Sequence, residues 1–533
     1  MRAWPRTLLW MAAPFALATA AAYAQWAIVG LPPAPSAAIA HATGQPQGFP
    51  AWLRIGHYLN FLLLTLLVRS GVQILMDHPR LYWNVHCTPG TEWVRFTPIA
   101  VPRDRPWTSK DDARYVSPWI GLPGGRHTLG LARHWHFSIA VFWVANGLLF
   151  YLLLFATGQW RRIVPDTWQV VPDAWAVFVH YATLHLPPEP DGFYRYNALQ
   201  QLAYFAAVFV LAPASIVTGP SMSPALVNRF RWYPRLPGNR QIGRSVHFVV
   251  LCLWLFFVAG HVTMVVLTGA LRNMNHIVLG SDDGRLLGAA LGSVGIGGVA
   301  VACWLANRAS RVRPRAVQHA ASRLIDPILS ATLDRHAPRA EYTKEDISPF
   351  FWPNGKMPTS PEWRRLADGG FTDYRLKVYG LVEHPAELSL DELRAMGTRV
   401  QITLHHCIQG WSGIAAWGGL PMRALMERVR PRPEATAVVF YSFGEGGEGG
   451  RYYDSHSLEN VRHPQAMLAY EMNFGPLGAL HGAPLRLRVE NQLGYKMVKW
   501  ISAIEFVADV RRIYAGEGGY NEDNEFFDSM ADI

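Results

Sequence analysis

Six apolar stretches, at about 8–30, 53–76, 137–157, 199–218, 246–270 and 286–306, limit what the first 310 residues of this 533-residue chain can become. Each approaches the ~20 residues that a helix needs to cross the ~30 Å hydrocarbon core of a bilayer, where a helix satisfies its own backbone hydrogen bonds. The predicted fold is therefore multidomain, an all-α transmembrane helix bundle over about 53–306 followed by a globular half. Residues 1–30 begin with Arg2 and Arg6 and end in Ala22-Tyr23-Ala24, which fits either a cleaved signal peptide or a retained first helix. Both place residue 31 onward outside.

Charge orients the bundle. The net charge of +10 sits beside the apolar stretches, so the expected partner is the lipid bilayer and not nucleic acid. Arg229, Arg231, Arg235, Arg240 and Arg244 occupy the 219–245 connection without an acidic residue, and Arg308, Arg311, Arg313 and Arg315 follow the last stretch. Both segments read as cytoplasmic by the positive-inside rule. Alternation then puts 77–133 inside and 158–198 and 271–285 outside. The soluble half is expected in the cytoplasm, and a periplasmic one would need one helix fewer or more. Arg69, inside the second stretch, is either a snorkelling residue or the partner of an anionic cofactor group.

Histidines within the apolar stretches fall into levels. His247 and His261 are 14 residues apart, about 40° short of four full turns, so they share one face ~21 Å apart along the axis. Following the chain through the bilayer puts His57 near the outer face with His261, and His136 or His134 near the inner face with His247. His134 and His136 point about 200° apart on a helix, so one of them faces the bundle. Two bis-imidazole sites, one near each face, follow from that arrangement.

The stretch GHYLNFLLLTLLVRSGVQIL (56–75), the RHWHF entry (133–137) and the 14-residue His pair resemble the di-haem cytochrome b subunits of membrane hydrogenases and formate dehydrogenases. The resemblance implies a bacterial inner-membrane, multi-pass protein and two haems b held by His57, His136, His247 and His261. An Arg-x-x-His-Phe context favours His136 over His134. The long 77–133 connection departs from that pattern, and Cys87 within it has no assigned role.

After a linker or surface-lying helix at 307–345, the signals change to short strands. DYRLKVYGLV (373–382) alternates apolar and polar residues, PAELSLDELRAM (385–396) reads as a turn and short helix, and strand-like runs recur at 400–404, 436–442, 485–489 and 500–507. This predicts an α+β domain, mainly β, over 346–515, with an acidic tail at 516–533. The four cysteines, Cys87, Cys252, Cys303 and Cys407, form neither a disulfide framework nor a zinc pattern. Cys407 stands out because HHCIQGWSGIAAWGG (405–419) places a thiol where a strand enters a loop, a setting for a nucleophile or metal ligand. GEGGEGG (444–450) is not a phosphate loop, since no helix with a Lys-Ser/Thr start follows it.

Four ordered segments of this half resemble the catalytic domain of the sulfite oxidase family of molybdenum enzymes: DYRLKVYGLVEHPAELSLDEL, HHCIQGWS, LENVRHPQAMLAYEMN and HGAPLRLRVENQLGYKMVKWISAIEF. The resemblance implies a molybdopterin whose molybdenum is bound by Cys407. It also implies cofactor contacts from Asn354, Ser442, His481, Arg486, Lys496, Met497, Val498 and Lys499, and an active-site tyrosine at Tyr453, with Tyr452 equally placed. Sulfite-specific members carry arginines just after the cysteine, where this chain has Ile408-Gln409-Gly410-Trp411.

The two resemblances together imply a membrane-bound, molybdenum-dependent oxidoreductase. Oxygen-atom transfer to or from a small-molecule substrate would occur at the Cys407 centre, with electrons exchanged through two haems b with the quinone pool. The direction stays open between substrate oxidation and reduction of an S-oxide or N-oxide such as methionine sulfoxide. A non-catalytic transmembrane electron conduit or redox sensor is the remaining alternative.

Overall fold

The computed structural model describes residues 4–33, 48–97, 100–102, 105–186, 193–230, 232–233, 236, 238–333, 342–445, 451–510 and 513. Arg2, Arg231, Arg235, most of GEGGEGG and the acidic tail lie outside them. Among the described residues six helices are long and apolar enough to cross a membrane: Trp4–Val29, Ala51–Asp77, Leu129–Ala156, Ala198–Met222, Arg240–Leu267 and Leu286–Val312. The chain divides into two compact units. One comprises residues 1–68, 137–220 and 244–306; the other comprises 69–136, 221–243 and 307–533.

The first unit is helical and pairs its polar groups internally, as apolar surroundings require. Trp143 Nε1 donates to Asn60 Oδ1 at 2.8 Å, and Trp254 Nε1 donates to Ser215 Oγ at 3.1 Å. Phe15 of the first helix packs edge-on against Phe256, ring centres 5.3 Å apart. The fourth span passes through a π-helical segment, Ala206–Leu211, where the Tyr151 hydroxyl donates to the carbonyl of Val208. An expanded turn of this kind leaves backbone groups to be satisfied from outside the helix. Short helices, Val170–Ala182 and Ala270–Val278, fill the two connections that the sequence pattern leaves open.

The second unit carries the strands. We label them β1 (Leu376–Gly380), β2 (Ala386–Leu388), β3 (Arg399–His406), β4 (Ser412–Pro421), β5 (Ala437–Glu445), β6 (Arg451–Ser457), β7 (Met467–Met472), β8 (Arg486–Arg488) and β9 (Ile501–Val507). One sheet has the order β2-β1-β9-β5-β6, with β1 and β9 parallel and the other pairs antiparallel. The other runs β3-β4-β7, and β8 and the short Gly475–Pro476 segment pair with the far edge of β7. Leu376, Val378, Phe440, Ile504 and Phe506 from the first sheet and Leu420, Leu468 and Leu487 from the second share one buried core. The predicted strand runs all form strands. β2, within the stretch read as a turn and short helix, and β4, β6 and β7 are additional, and β4 escapes an alternation test because nine of its ten residues are buried, on both faces.

The 77–133 connection belongs to this second unit. It contains a two-residue antiparallel pairing of Arg80–Leu81 with Val94–Arg95. Fully buried Arg80 forms ion pairs with Asp112 at 2.7 Å and Glu92 at 2.8 Å. Arg69 donates to the carbonyls of Pro118 at 2.6 Å and Gly121 at 3.1 Å and to Asn307 Oδ1 at 3.0 Å, so part of its guanidinium is bound by a turn of this connection.

Candidate functional site

β3 and β4 form a hairpin in which His406 pairs with Ser412, leaving Cys407–Trp411 as the loop. The loop closes on itself through Cys407 N to Trp411 O and Gly410 N to Cys407 O, both 3.1 Å. Gly410 has φ of +102°, a backbone region that a side chain would strain. The thiol is fully buried. Asn354 Nδ2 donates to Cys407 Sγ at 3.6 Å, and Gln409 Oε1 lies 3.8 Å from the same sulfur.

The loop is also gripped from elsewhere in its unit. Gln409 donates to the carbonyls of Asp77 at 3.2 Å and Ser109 at 3.4 Å. Gln241 donates to Gly410 O at 2.9 Å and to Ser412 Oγ at 3.1 Å, and Ser412 donates to Val85 O at 2.7 Å. Trp352 Nε1 donates to Cys87 O at 2.7 Å, and Ser109 N to Pro353 O at 2.8 Å. Cys87 is buried, with its sulfur 4.0 Å from Ser412 Oγ. The 77–133 and 221–243 segments therefore wall the Cys407 loop, a role that no residue pattern in them announces.

A pocket of cations lies at the pterin-like end. The 3₁₀ turn Ala479–His481 exposes carbonyls that gather two of them, Arg486 Nη1 donating to His481 O at 2.8 Å and Lys499 Nζ to Leu480 O at 2.7 Å, while the neutral Trp500 Nε1 donates to Ala479 O at 2.7 Å. Burial, reinforced by Arg488, pushes Arg486 well below its usual range, and burial with Arg486 does the same to Lys499. Burial with Lys499 and Arg486 pushes His481 down to about 3. Among the described residues, neither Arg486 nor Lys499 forms an ion pair, and Arg486 Nε has no hydrogen-bond partner. Uncompensated buried cations cost free energy, and an anion is the group that would offset them.

Phe351 connects this pocket to the thiol loop. Its ring centre lies 5.8 Å from His481, 5.5 Å from Trp417, 5.3 Å from His405 and 5.7 Å from Trp411. Arg488 donates to His405 Nδ1 at 2.9 Å, and burial with that charge pushes His405 well below its usual value. A Cβ on Gly494 would stand 2.2 Å from His405 Cε1, so the NQLGYKM turn can approach only as glycine. His405 and Phe351 were missed by sequence reasoning, although His405 lies inside HHCIQGWS and Phe351 stands three residues before Asn354.

The remaining cofactor candidates take structural partners. Ser442 Oγ donates to Lys499 O at 2.7 Å and accepts from Gly444 N at 2.9 Å. Lys496 Nζ is ion-paired with Asp454 at 2.5 Å, and Met497 N donates to Gly494 O at 3.2 Å. Val498 is buried and its carbonyl accepts from Leu487 N at 2.8 Å. Along β6 the even positions face this turn: Tyr452 donates to Tyr495 O at 3.3 Å, Asp454 pairs with Lys496, and His456 Nε2 reaches Lys496 O at 2.7 Å. Tyr453 points to the opposite face, in a small cluster with Val439, Tyr441 and Ala503. Side chains alternate along a strand, so Tyr452 and Tyr453 occupy different environments.

In the first unit, His57 and His261 are brought together with ring centres 6.2 Å apart. Two imidazoles bonded at about 2 Å to opposite faces of one metal ion have ring centres about 6 Å apart, so the pair fits a shared haem iron. His261 Nδ1 meets the Tyr204 hydroxyl at 3.1 Å, and His247 Nδ1 meets Thr218 Oγ1 at 2.8 Å. In the second unit, His136 Nδ1 meets Ser70 Oγ at 3.0 Å. Hydroxyls on Nδ1 orient a ring so that Nε2 faces a metal. His134 instead uses Nδ1 on Gly130 O at 2.9 Å and Nε2 on Ser322 Oγ at 3.5 Å. Among the described residues no three His, Cys, Asp or Glu side chains gather as a metal site, so each candidate centre rests on one or two protein ligands.

The chain matches the family described as "Oxidoreductase molybdopterin binding domain" over residues 365–514 and the family described as "Prokaryotic cytochrome b561" over residues 48–278. It is 35% identical over 153 residues to the "Putative protein-methionine-sulfoxide reductase subunit YedZ1" of Azospira oryzae, covering 29% of this chain and 54% of that protein. It is 30% identical over 175 residues to the "Protein-methionine-sulfoxide reductase catalytic subunit MsrP" of Xanthomonas axonopodis pv. citri, covering 31% of this chain and 54% of that protein. The "Uncharacterized oxidoreductase YuiH" of Bacillus subtilis is 30% identical over 151 residues, 28% of this chain and 73% of that protein. The chain thus spans about half the length of the two methionine-sulfoxide relatives.

Proposed function

This chain belongs to the molybdopterin-dependent oxidoreductases of the sulfite oxidase family, joined to a cytochrome b561-type membrane domain, and from that premise we propose that it reduces sulfoxides, methionine sulfoxide foremost. The net reaction is R2SO + 2 H+ + 2 e− → R2S + H2O. The molybdenum cofactor supplies the oxygen-atom acceptance and the two-electron change. The protein residues bind, orient and exclude water.

In this proposal Cys407 is the protein ligand of the molybdenum, and Asn354 directs an N–H at its sulfur. Arg486, Lys499 and His481 hold the cofactor's phosphate, and Ser442, Lys496, Met497 and Val498 fix the backbone beneath it. Tyr452 and Tyr453 are the candidate active-site tyrosines. His57, His136, His247 and His261 hold two haems b that deliver electrons from a quinol, His57 sharing one iron with His261. The observation that carries the sulfoxide assignment is the loop Ile408–Trp411. It presents no cation of its own to an oxyanion, and Gln409 is committed to the carbonyls of Asp77 and Ser109. A neutral oxide suits that loop better than sulfite, and the methionine-sulfoxide relatives point the same way.

The catalytic domain shares its unit with 77–133 and 221–243, so all three occupy one side of the membrane. From the arginines that follow the last span we infer the cytoplasmic side, with the periplasmic side as the alternative. Alkaline phosphatase fused after residue 320 should be inactive; an active fusion would place the domain in the periplasm.

The test of function is anaerobic. Dithionite-reduced haem in the purified protein should reoxidise on adding a methionine-sulfoxide peptide, with molybdenum near one per chain, and Cys407→Ser should lose both. Loaded enzyme whose haem is unmoved by sulfoxides would sink the substrate assignment. Wild-type protein without molybdenum would sink the centre itself.

A further inference from the structure

Arg133 opens the RHWHF stretch in the first turns of the helix Leu129–Ala156. Its Nη1 reaches the carbonyl of Ile408 at 3.4 Å, one residue beyond Cys407. Buried as it is, its charge acts over a distance on the Tyr495 hydroxyl and on the Cys407 sulfur. Tyr495 lies on the Gly494–Lys496 turn, whose glycine packs on His405, so the same charge bears on the thiol loop and on this turn. A second arginine, Arg240, reaches the other end of the loop through Trp411 O at 3.4 Å, but its charge acts on His406. The cations missing from Ile408–Trp411 are thus supplied from the membrane-flanking segments, and one of them acts on the sulfur.

We propose that Arg133 is a positioning residue for the Cys407 centre, keeping a permanent positive charge beside the sulfur and so favouring the reduced, more negative state of the metal that the sulfur carries. The proposal rests on the assignment of Cys407 as molybdenum ligand. Arginine suits the task because it stays protonated at any working pH. Its charge is felt strongly at short range in a poorly solvated site. The N-terminal end of the helix adds partial positive charge of the same sign. The Ile408 carbonyl accepts from the guanidinium, which holds the charge at the loop without neutralising it.

The experiment is a redox titration of the Mo(V) paramagnetic signal in holoenzyme, comparing wild type with Arg133→Gln, Arg133→Met and Arg133→Lys. The neutral variants should shift the reduction equilibrium at least tenfold towards the oxidised state, about 59 mV for a one-electron step. Molybdenum content should be retained and KM for the sulfoxide should stay within about twofold. Arg133→Lys should keep a potential near that of wild type. An unchanged potential in whichever neutral variant folds, or a Lys variant as low as the neutral ones, overturns the proposal. A tenfold rise in KM with a constant potential also overturns it, making Arg133 a substrate contact. Absence of molybdenum from the wild type would instead refute the underlying metal assignment, and the two failures are separable by metal analysis alone.

Discussion

Arg486 and Arg488 stand two residues apart on one short strand and both lie over the ring of Trp417, at 4.6 and 4.3 Å, yet of the two only Arg488 is ion-paired among the described residues. Glu490 pairs with Arg488 at 2.7 Å. The same face of β8 therefore holds one neutralised cation that builds the wall and one uncompensated cation that awaits a ligand. Lys499 shares the second condition.

That asymmetry predicts opposite effects in loaded and empty protein. Lys499→Met should lower molybdopterin content severalfold, measured as molybdenum per chain. In cofactor-free protein the same change should raise the unfolding midpoint by a few degrees, equivalent to about 1 kcal/mol, because an uncompensated buried charge is removed. Arg488→Met should destabilise both forms, since it strands Glu490.

Asn354 should matter through the sulfur that it faces. Asn354→Ala removes an N–H aimed at Cys407, and hydrogen bonds to charged groups contribute about 1.5–3 kcal/mol. Turnover should fall roughly tenfold or more, with a visible change in the Mo(V) spectrum and unchanged haem content.

The two histidines at the entry of the third span should separate cleanly. His136→Ala should lose one haem b, read from the reduced-minus-oxidised spectrum. His134→Ala should keep both haems and lose stability, because His134 bonds Gly130 and Ser322 with its two nitrogens.

Buried histidines give the catalytic domain an acid-sensitive side. Burial, then Lys496, lowers His456 to about 3, and burial, then Arg240, lowers His406 well below its usual value. The unfolded chain binds protons on these residues below about 6.5 while the folded chain does not. Stability is thus full above that pH and falls as pH drops towards about 3, by about 1.4 kcal/mol per pH unit for each such histidine. Thermal melts from pH 7 to pH 5 should show the decline, and His456→Gln should flatten it.

Strand parity distinguishes the tyrosines. Tyr452→Phe should perturb activity because it bonds the turn that carries Tyr495 and Lys496. Tyr453→Phe should act chiefly on the packing of Val439, Tyr441 and Ala503. Equal kinetic effects from both would contradict the assignment by parity.

Much of this protein was legible from residue order. Apolar length alone located the six spans, since a bilayer demands it. The thiol loop was legible because Cys407 follows the strand-like run 400–404 and stands among histidine, glycine and tryptophan. The partners of that loop were not. Asp77, Val85, Ser109, Arg133 and Gln241 reach it through backbone carbonyls and single side-chain bonds across more than 160 residues of sequence, and such contacts leave no periodicity or motif. The choice between Tyr452 and Tyr453 was equally hidden, because RYYDSHS has no apolar alternation to set its register. His134 and His136 differ by hydroxyl and carbonyl neighbours, which only the folded chain assembles.

The grip of the 77–133 and 221–243 segments on the Cys407 loop also bears on heredity. A loop sealed by Gln241, Asp77 and Ser109 cannot drift alone; a change at Gln409 must be answered in stretches encoded hundreds of bases away. The three stretches form one unit of selection although three separate places in the gene encode them. A catalytic half transplanted without its two companions would arrive with a wall missing.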